Sequence, residues 1–164
     1  MYDQHENDPR DLRYRQFLNQ LAEPLISRLE PGMEGLDYGC GPGPALSVML
    51  EESGMAVKLY DPYFAPDNGV LARTYDFVTC SEVAEHFYQP AKDWCRLVSL
   101  LSRGSWLGVM TRLRDDCGAF EAWYYKKDPT HVSFYHSTTI DWLADHYGLT
   151  VAYRTHNVSL FLKS

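Results

Sequence analysis

Glycine recurs at every second position of the segment GCGPG at 39–43, between a predicted strand over 35–38 and a predicted helix over 45–52. Glycine lacks a Cβ atom, so a strand-to-helix turn of this composition can bend sharply and lie close to a ligand. Asp61 follows at the predicted end of the second strand, where a carboxylate can accept hydrogen bonds from both hydroxyls of a ribose. Tight turns also need glycine, and Asp-Pro is common in turns, but the two features together predict a nucleoside site.

A similar glycine pattern occurs in dinucleotide-binding folds, whose fingerprint is G-x-G-x-x-G/A. Here Pro44 occupies the third small position, and the last glycine, Gly43, comes one residue earlier. A chain of 164 residues also leaves no room for a second mononucleotide-binding half together with a substrate domain. These departures disfavour a nucleotide-dependent oxidoreductase.

Three segments, LDYGCGPGP, YDP and YDFVTCSEVAEHF, together resemble the motifs of class I S-adenosylmethionine-dependent methyltransferases. The sequence DPTHVSFY at 128–135 resembles the segment that follows the fifth strand in many of these enzymes. The resemblance covers roughly residues 34–162 and implies a Rossmann-like, doubly wound α/β fold. Its sheet would be mostly parallel and seven-stranded, with an antiparallel last strand. Only 13 residues separate Asp61 from Tyr75, so the third strand region is expected to be abbreviated, with a short strand at 70–72.

The resemblance also implies a binding site for S-adenosylmethionine. Asp37 would receive the ammonium group of the cofactor, and Asp61 would hold the ribose hydroxyls. Pro62 and Tyr63 would flank adenine, while Asp67 or Asn68 are candidates to recognise the adenine amino group. The cofactor-binding residues implied in this way are Asp37, Gly39, Cys40, Gly41, Gly43, Asp61, Pro62, Tyr63, Cys80 and Ser81, the last two through their backbone.

Methyl transfer from a sulfonium needs alignment above all, and it needs a general base only when the acceptor is a weakly acidic hydroxyl or a protonated amine. His131, in the irregular segment before the last helix, is the leading candidate for this base, although it could instead pin its loop. His86 is a second catalytic candidate. Its neighbours Glu82 and Glu85 could form a polar cluster with it or a solvated helix face.

Aromatic residues at 123–125 precede Lys126 and Lys127, and they could wall an acceptor site or pack under a lid. Tyr124 is the catalytic candidate of this group. On the first helix, Tyr14 and Arg15 could close over the cofactor carboxylate, although the periodic position of Tyr14 favours core packing.

Apolar periodicity predicts helices over 10–29, from Pro90 to Arg103-Gly104, and over 138–147, the last with a cap-like Thr138 and Asp141. Further strands are predicted over 55–60, 75–80, 105–111, 149–154 and 158–162, the last at an edge of the sheet. We expect one domain over 1–164, with an N-terminal helical segment at 1–30 and a substrate-side insertion or lid at 112–136.

The formal net charge of −7 argues against duplex nucleic acid as a partner. No apolar run approaches the length of a membrane span, and the polar, acidic N-terminus does not resemble a secretory signal, so we expect a cytoplasmic protein with no membrane partner. The four cysteines are widely spaced and are expected to be reduced thiols. The spacing of Cys117, His131 and His136 is poor for zinc, so no metal is expected.

The sequence therefore predicts an enzyme that transfers a methyl group from S-adenosylmethionine to a small-molecule acceptor. The alternative is a catalytically inactive cofactor-binding module that acts through protein partners. The identity of the acceptor and the oligomeric state stay open.

Overall fold

Strands and helices alternate through most of the chain in the computed structural model, which describes residues 8–114 and 118–164. The ten main elements are α1 (Leu12–Ile26), β1 (Glu34–Tyr38), α2 (Ala45–Glu52), β2 (Ala56–Tyr60), β3 (Tyr75–Ser81), α3 (Pro90–Ser99), β4 (Leu101–Met110), α4 (Ser137–Tyr147), β5 (Leu149–Arg154) and β6 (Val158–Lys163). Short 3-10 helices lie at Asn68–Ala72, Ala84–His86, Phe120–Ala122 and Tyr124–Lys127.

The strands form one sheet in the order β2-β1-β3-β4-β6-β5. The first four are parallel, whereas β6 runs antiparallel to both β4 and β5. The chain leaves β1 for β2 on one side and later returns to β3 on the other side. The loops after β1 and β3 therefore diverge at a topological switch point, which is where open α/β sheets bind ligands.

Helices cover both faces of the sheet, as the doubly wound prediction requires. Alternating strand residues divide between two cores: Phe77 and Leu160 pack with α1 and α2, whereas Val78 and Phe161 pack with α3 and α4. At Gly108 on β4, an added Cβ would lie 2.9 Å from Leu21 Cδ1, so this glycine permits the close approach of α1. The α/β fold class is confirmed.

The prediction of seven strands is not confirmed, because the described residues form six. The segment expected as a strand at 70–72 belongs to the 3-10 helix Asn68–Ala72, where Asp67 caps the first turn by accepting from the Gly69 N–H at 2.8 Å. A parallel crossover needs a dozen or more residues before its strand begins. The 13 residues between Asp61 and Tyr75 are too few for a crossover and a strand.

Three further predictions, one about strand order and two about helix ends, were wrong. The edge strand is β5, and β6 lies inside the sheet, where it pairs on both sides. Helix α3 ends at Ser99, so Arg103-Gly104 lies within β4 and does not form the end of the helix. Helix α4 is capped by His136, whose Nδ1 accepts from the Thr138 N–H at 3.2 Å, so the ring replaces the predicted threonine cap.

Helix α1 continues through Pro24, and α2 covers the predicted residues 45–52. Among the described residues, no helix has both the length and the apolar character needed to cross a bilayer. Cys40, Cys80 and Cys95 are free thiols, as predicted, while Cys117 lies outside the described residues.

Candidate active site

The loops that follow β1, β2 and β3 enclose a cleft of about 1040 Å³ at the carboxyl end of the parallel strands. Most of its lining comes from residues 37–46, 60–64 and 81–89, with contributions from α1, α3 and the loop at 128–131. The cleft therefore lies at the topological switch point and includes the glycine turn.

Two glycines of the turn adopt left-handed backbone angles, with φ of 80° at Gly39 and 67° at Gly41. A Cβ added at Gly39 would lie 2.4 Å from Val83 Cγ2, so the space is taken by a residue of the chain itself. Glycine at this position thus lets the loop after β1 pack against the loop after β3. Residues 39–43 all line the cleft, so the predicted contact of this turn with a ligand stays a prediction.

Asp61 joins the turn after β2 to the glycine turn. Its Oδ1 accepts from the backbone N–H groups of Tyr63 at 2.8 Å and Phe64 at 3.1 Å, and its Oδ2 accepts from Gly41 N–H at 3.1 Å. The carboxylate is 8% exposed and lines the cleft. Asp61 is therefore both a turn residue and a group that can face a ligand, which sequence reasoning had treated as competing explanations.

The two candidates for adenine recognition, Asp67 and Asn68, do not line the cleft. Pro62 and Tyr63 do, together with Phe64, which the sequence analysis did not single out. Tyr63 is 77% exposed and Phe64 is 42% exposed. In the sequence, only its position next to Tyr63 indicates that Phe64 could belong to the site.

Asp37 lies at the end of β1 with 3% exposure, at the bottom of the cleft. Its Oδ1 accepts from Thr79 Oγ1 at 2.8 Å and its Oδ2 accepts from Ser47 Oγ at 3.0 Å. Burial raises the pKa of Asp37, while these two hydrogen bonds lower it. Thr79 stands directly beside Asp37 in the β1–β3 register, so only the sheet pairing reveals this partner.

The predicted residues Cys80 and Ser81 are the last two residues of β3, and of these only Ser81 lines the cleft. Cys80 is fully buried in the core, where burial raises the pKa of its thiol, and it does not line the cleft. Cys40 does line it, and burial raises the pKa of its thiol to about 12, so the thiol stays protonated at neutral pH.

A cluster of ionisable side chains also lines the cleft, where the structure brings together Glu82, Glu85, His86 and His131. Glu85 is 0% exposed, so a solvated face is the wrong explanation for it. Tyr125 OH donates to Glu85 Oε1 at 2.6 Å. Burial and the adjacent carboxyl of Glu85 raise the pKa of Glu82 to about 8.

His131 is held against the same cluster. Its Nδ1–H donates to the backbone oxygen of Tyr125 at 2.7 Å, and its ring centre lies 4.9 Å from that of His86. The ring thus pins its loop through Nδ1, which is one of the two interpretations made from the sequence. Its Nε2 lies 3.9 Å from Asp128 Oδ2.

Tyr124, the third catalytic candidate, is 64% exposed and does not line the cleft. Tyr125 is the tyrosine of this segment that turns inward, and Trp123 is buried against Phe134. On α1, Tyr14 lines the cleft, whereas Arg15 forms an ion pair with Glu52 of α2. Arg15 is therefore not placed to close over a cofactor.

Residues 6–153 match a family model described as a methyltransferase domain. The chain belongs to this family. The prediction that the protein is a methyltransferase is thereby confirmed. No curated protein matches this methyltransferase at a significant level.

Solved structures similar to this methyltransferase share its fold at low sequence identity. A Burkholderia thailandensis 1,6-didemethyltoxoflavin-N1-methyltransferase, solved with that substrate and S-adenosylhomocysteine, has a TM-score of 0.71 and 15% identity. The alignment covers 98% of this chain and 84% of that one. A Synechocystis magnesium protoporphyrin IX methyltransferase with bound S-adenosylmethionine has a TM-score of 0.65 and 16% identity, covering 92% of this chain and 80% of that one.

A third structure, the calicheamicin-biosynthesis methyltransferase CalO1 with bound S-adenosylhomocysteine, has a TM-score of 0.65 and 13% identity. The alignment covers 93% of this methyltransferase but 55% of that enzyme, so the present chain spans little more than half of its length. Together, these likenesses support the Rossmann-like fold.

Proposed function

We propose that this methyltransferase transfers the methyl group of S-adenosylmethionine to a small-molecule acceptor. The observation that carries the proposal is the pair of largely buried carboxylates, Asp37 and Asp61, that line a cleft of about 1040 Å³. Sites for a single small ligand are usually about 300–1,000 Å³. This cleft therefore has room for a cofactor and a second molecule.

The residues present fit S-adenosylmethionine. The two hydrogen-bond donors to Asp37 are neutral hydroxyls, so no cationic side chain among the described residues compensates its charge. An ammonium group placed in the cleft would supply that charge. Asp61 offers a carboxylate beside the glycine turn, and its backbone partners fix the carboxylate in one orientation for two ribose hydroxyls.

The adenine ring would lie beyond Asp61, between Pro62 and the exposed aromatic rings of Tyr63 and Phe64. An aromatic side chain stacks on the face of a purine ring, so this contact does not depend on the hydrogen-bonding groups at the edge of the base. Stacking would therefore bind the base even though Asp67 and Asn68 lie outside the cleft lining.

When bound, the cofactor supplies an electrophilic methyl group on a sulfonium. The task of the protein is to hold the accepting atom in line with that carbon and sulfur. Asp37 and Asp61 would hold the cofactor in the cleft. The cluster of Glu82, Glu85, His86 and His131 lines the same cleft, and we call the part beside it the acceptor end. The acceptor would lie between the sulfonium and this cluster.

Small-molecule substrates are named for the toxoflavin and protoporphyrin enzymes of the same fold. We infer an acceptor of this size class, because a cleft of about 1040 Å³ has room for a small molecule beside the cofactor.

Calorimetric titration with S-adenosylhomocysteine, and with NAD in parallel, tests the proposal. We expect binding of S-adenosylhomocysteine with one site per chain and no binding of NAD. Turnover of methyl-labelled S-adenosylmethionine against a panel of small acceptors then tests transfer. Binding of NAD alone would contradict the proposed function.

A further inference from the structure

Three side chains from two separate loops bring potential metal-ligand atoms together at the acceptor end of the cleft. One oxygen or nitrogen atom from each of Glu85, His86 and His131 lies within 4.8 Å of those of the other two. All three residues line the cleft. Two imidazoles and one carboxylate are a donor set used by catalytic sites for divalent transition metals.

Each of the three side chains is oriented by a hydrogen bond at its other polar atom. Tyr125 OH donates to Glu85 Oε1 at 2.6 Å, and Nδ1–H of His131 donates to the backbone oxygen of Tyr125 at 2.7 Å. Nδ1 of His86 lies 3.0 Å from the Thr130 oxygen. Since a carbonyl oxygen only accepts, Nδ1 is the donor in both rings, and Nε2 is the ring nitrogen that can bind a metal. Metal-binding side chains are typically oriented by outer hydrogen bonds of this kind.

The second oxygen of Glu85 supplies an independent observation. Glu85 Oε2 is buried and has no hydrogen-bond donor among the residues that the structure describes. The pKa of the adjacent Glu82 carboxyl is raised to about 8, so at neutral pH this side chain is mostly uncharged and supplies no positive charge to Glu85. A buried, charged oxygen without a donor is costly unless a cation pairs with it.

The two loops are also fixed to each other before any ligand binds. The backbone oxygen of Glu85 accepts from the N–H groups of Val132 at 2.8 Å and Ser133 at 3.0 Å. Ser133 Oγ donates to the Phe87 oxygen at 2.6 Å. The segment at 84–87 and the loop that carries His131 therefore form one preorganised unit.

We propose that Glu85 Oε2, His86 Nε2 and His131 Nε2 bind a divalent transition-metal cation with an open coordination position toward the cleft. Zinc bonds of about 2.0–2.2 Å in a tetrahedral site place ligand atoms about 3.4 Å apart, so the side chains would close by at most about 1.4 Å. The open position takes an oxygen atom of the acceptor, which rests on the proposed function, whereas metal binding does not. This arrangement assigns His131 to metal binding in place of the general-base role expected from the sequence.

The test is calorimetric titration of Zn²⁺ into chelator-treated protein, with thermal unfolding as a second readout. We expect one Zn²⁺ per chain and a raised Tm. His86→Asn and His131→Asn keep an N–H near the position of Nδ1 but remove Nε2, and Glu85→Gln keeps an acceptor for Tyr125. Each variant, shown to be folded by circular dichroism, should bind Zn²⁺ at least tenfold more weakly. His146→Asn, at an exposed position on α4, is the matched control and should bind as the unaltered protein does.

Absence of Zn²⁺ binding, or equal affinity in the folded histidine variants, overturns the site. The open position is tested with Co²⁺, whose visible spectrum should change when acetohydroxamate, an oxygen ligand, is added; an unchanged spectrum overturns that part. Titration of S-adenosylhomocysteine in the presence of chelator separates the two proposals. Cofactor binding without Zn²⁺ binding would refute only the metal site, and the reverse result would refute only the proposed function.

Discussion

Replacing Asp61 by asparagine separates its ligand-binding role from its role in the turn. The variant keeps an oxygen that accepts from Tyr63 and Phe64, but it places an amide N–H₂ group where Oδ2 accepts from Gly41 N–H at 3.1 Å. Leaving one buried donor without its acceptor costs about 1–3 kcal/mol. Asp61→Asn should therefore lower the free energy of unfolding by this amount, and Asp61→Ala, which loses all three bonds, by more.

The same substitution removes the charge and one of the two acceptors for the ribose hydroxyls. A loss of about 1–3 kcal/mol in binding corresponds to a rise in Kd of roughly 5- to 150-fold. Calorimetric titration of S-adenosylhomocysteine measures this change, at a temperature where denaturant unfolding shows each variant to be folded.

Asp67→Asn is the matched control, because Asp67 accepts a single backbone N–H, from Gly69, and lies outside the cleft lining. Its Kd should equal that of the unaltered protein. A folded Asp61→Asn protein whose Kd also stays within twofold would refute the ribose role and leave Asp61 as a turn residue alone.

Three more outcomes are expected. Gly39→Ala should cost about 1–2 kcal/mol for the left-handed φ and about 1–3 kcal/mol for the contact with Val83. A double-mutant cycle with Val83→Ala, followed by denaturant unfolding, should recover only the second part; full recovery would contradict the backbone strain. Because burial raises the pKa of Asp37, a proton competes with the cofactor ammonium at a higher pH than at an exposed aspartate. Affinity for S-adenosylhomocysteine should thus fall as the pH is lowered below neutral, and a folded Asp37→Asn protein that kept this dependence would exclude Asp37 as its source. Thr79→Val removes a hydrogen bond that lowers this pKa, so the loss of affinity should begin at a higher pH and the fold should be less stable by about 1–3 kcal/mol; an unshifted pH profile would contradict the assignment.

Local sequence signals predicted most of the elements around the cleft. The helix at 45–52 and the strand that ends at Tyr60 were predicted to within one residue, because apolar periodicity and flanking turn residues act over a few positions. The sequence indicated that the region around 70–72 is shortened, because the 13 residues between Asp61 and Tyr75 leave little room for a crossover. The order of β5 and β6 could not, because either strand of a hairpin can pair with β4, and packing against the rest of the sheet selects one.

The two carboxylates could be singled out from sequence, Asp37 by the family motif just before the glycine turn and Asp61 by its place directly after the second strand. Their partners could not, since Thr79 meets Asp37 through strand register and Ser47 meets it across a helix. The contrast is greater at the acceptor end. Tyr124 was chosen on residue type, but the turn of a 3-10 helix directs Tyr125 inward.

The sequence by itself determined the glycine turn, the two carboxylates and the family, because these depend on residue types at short, fixed spacings. Only the tertiary structure decided that Glu85 contacts Tyr125, 40 positions away, and that the rings of His86 and His131 meet. Contacts of this kind depend on how two loops pack at the end of a sheet. The contacting residues are about 40 positions apart in the chain, and no periodic pattern in the sequence links them. The arrangement of this part of the cleft therefore follows only from the fold.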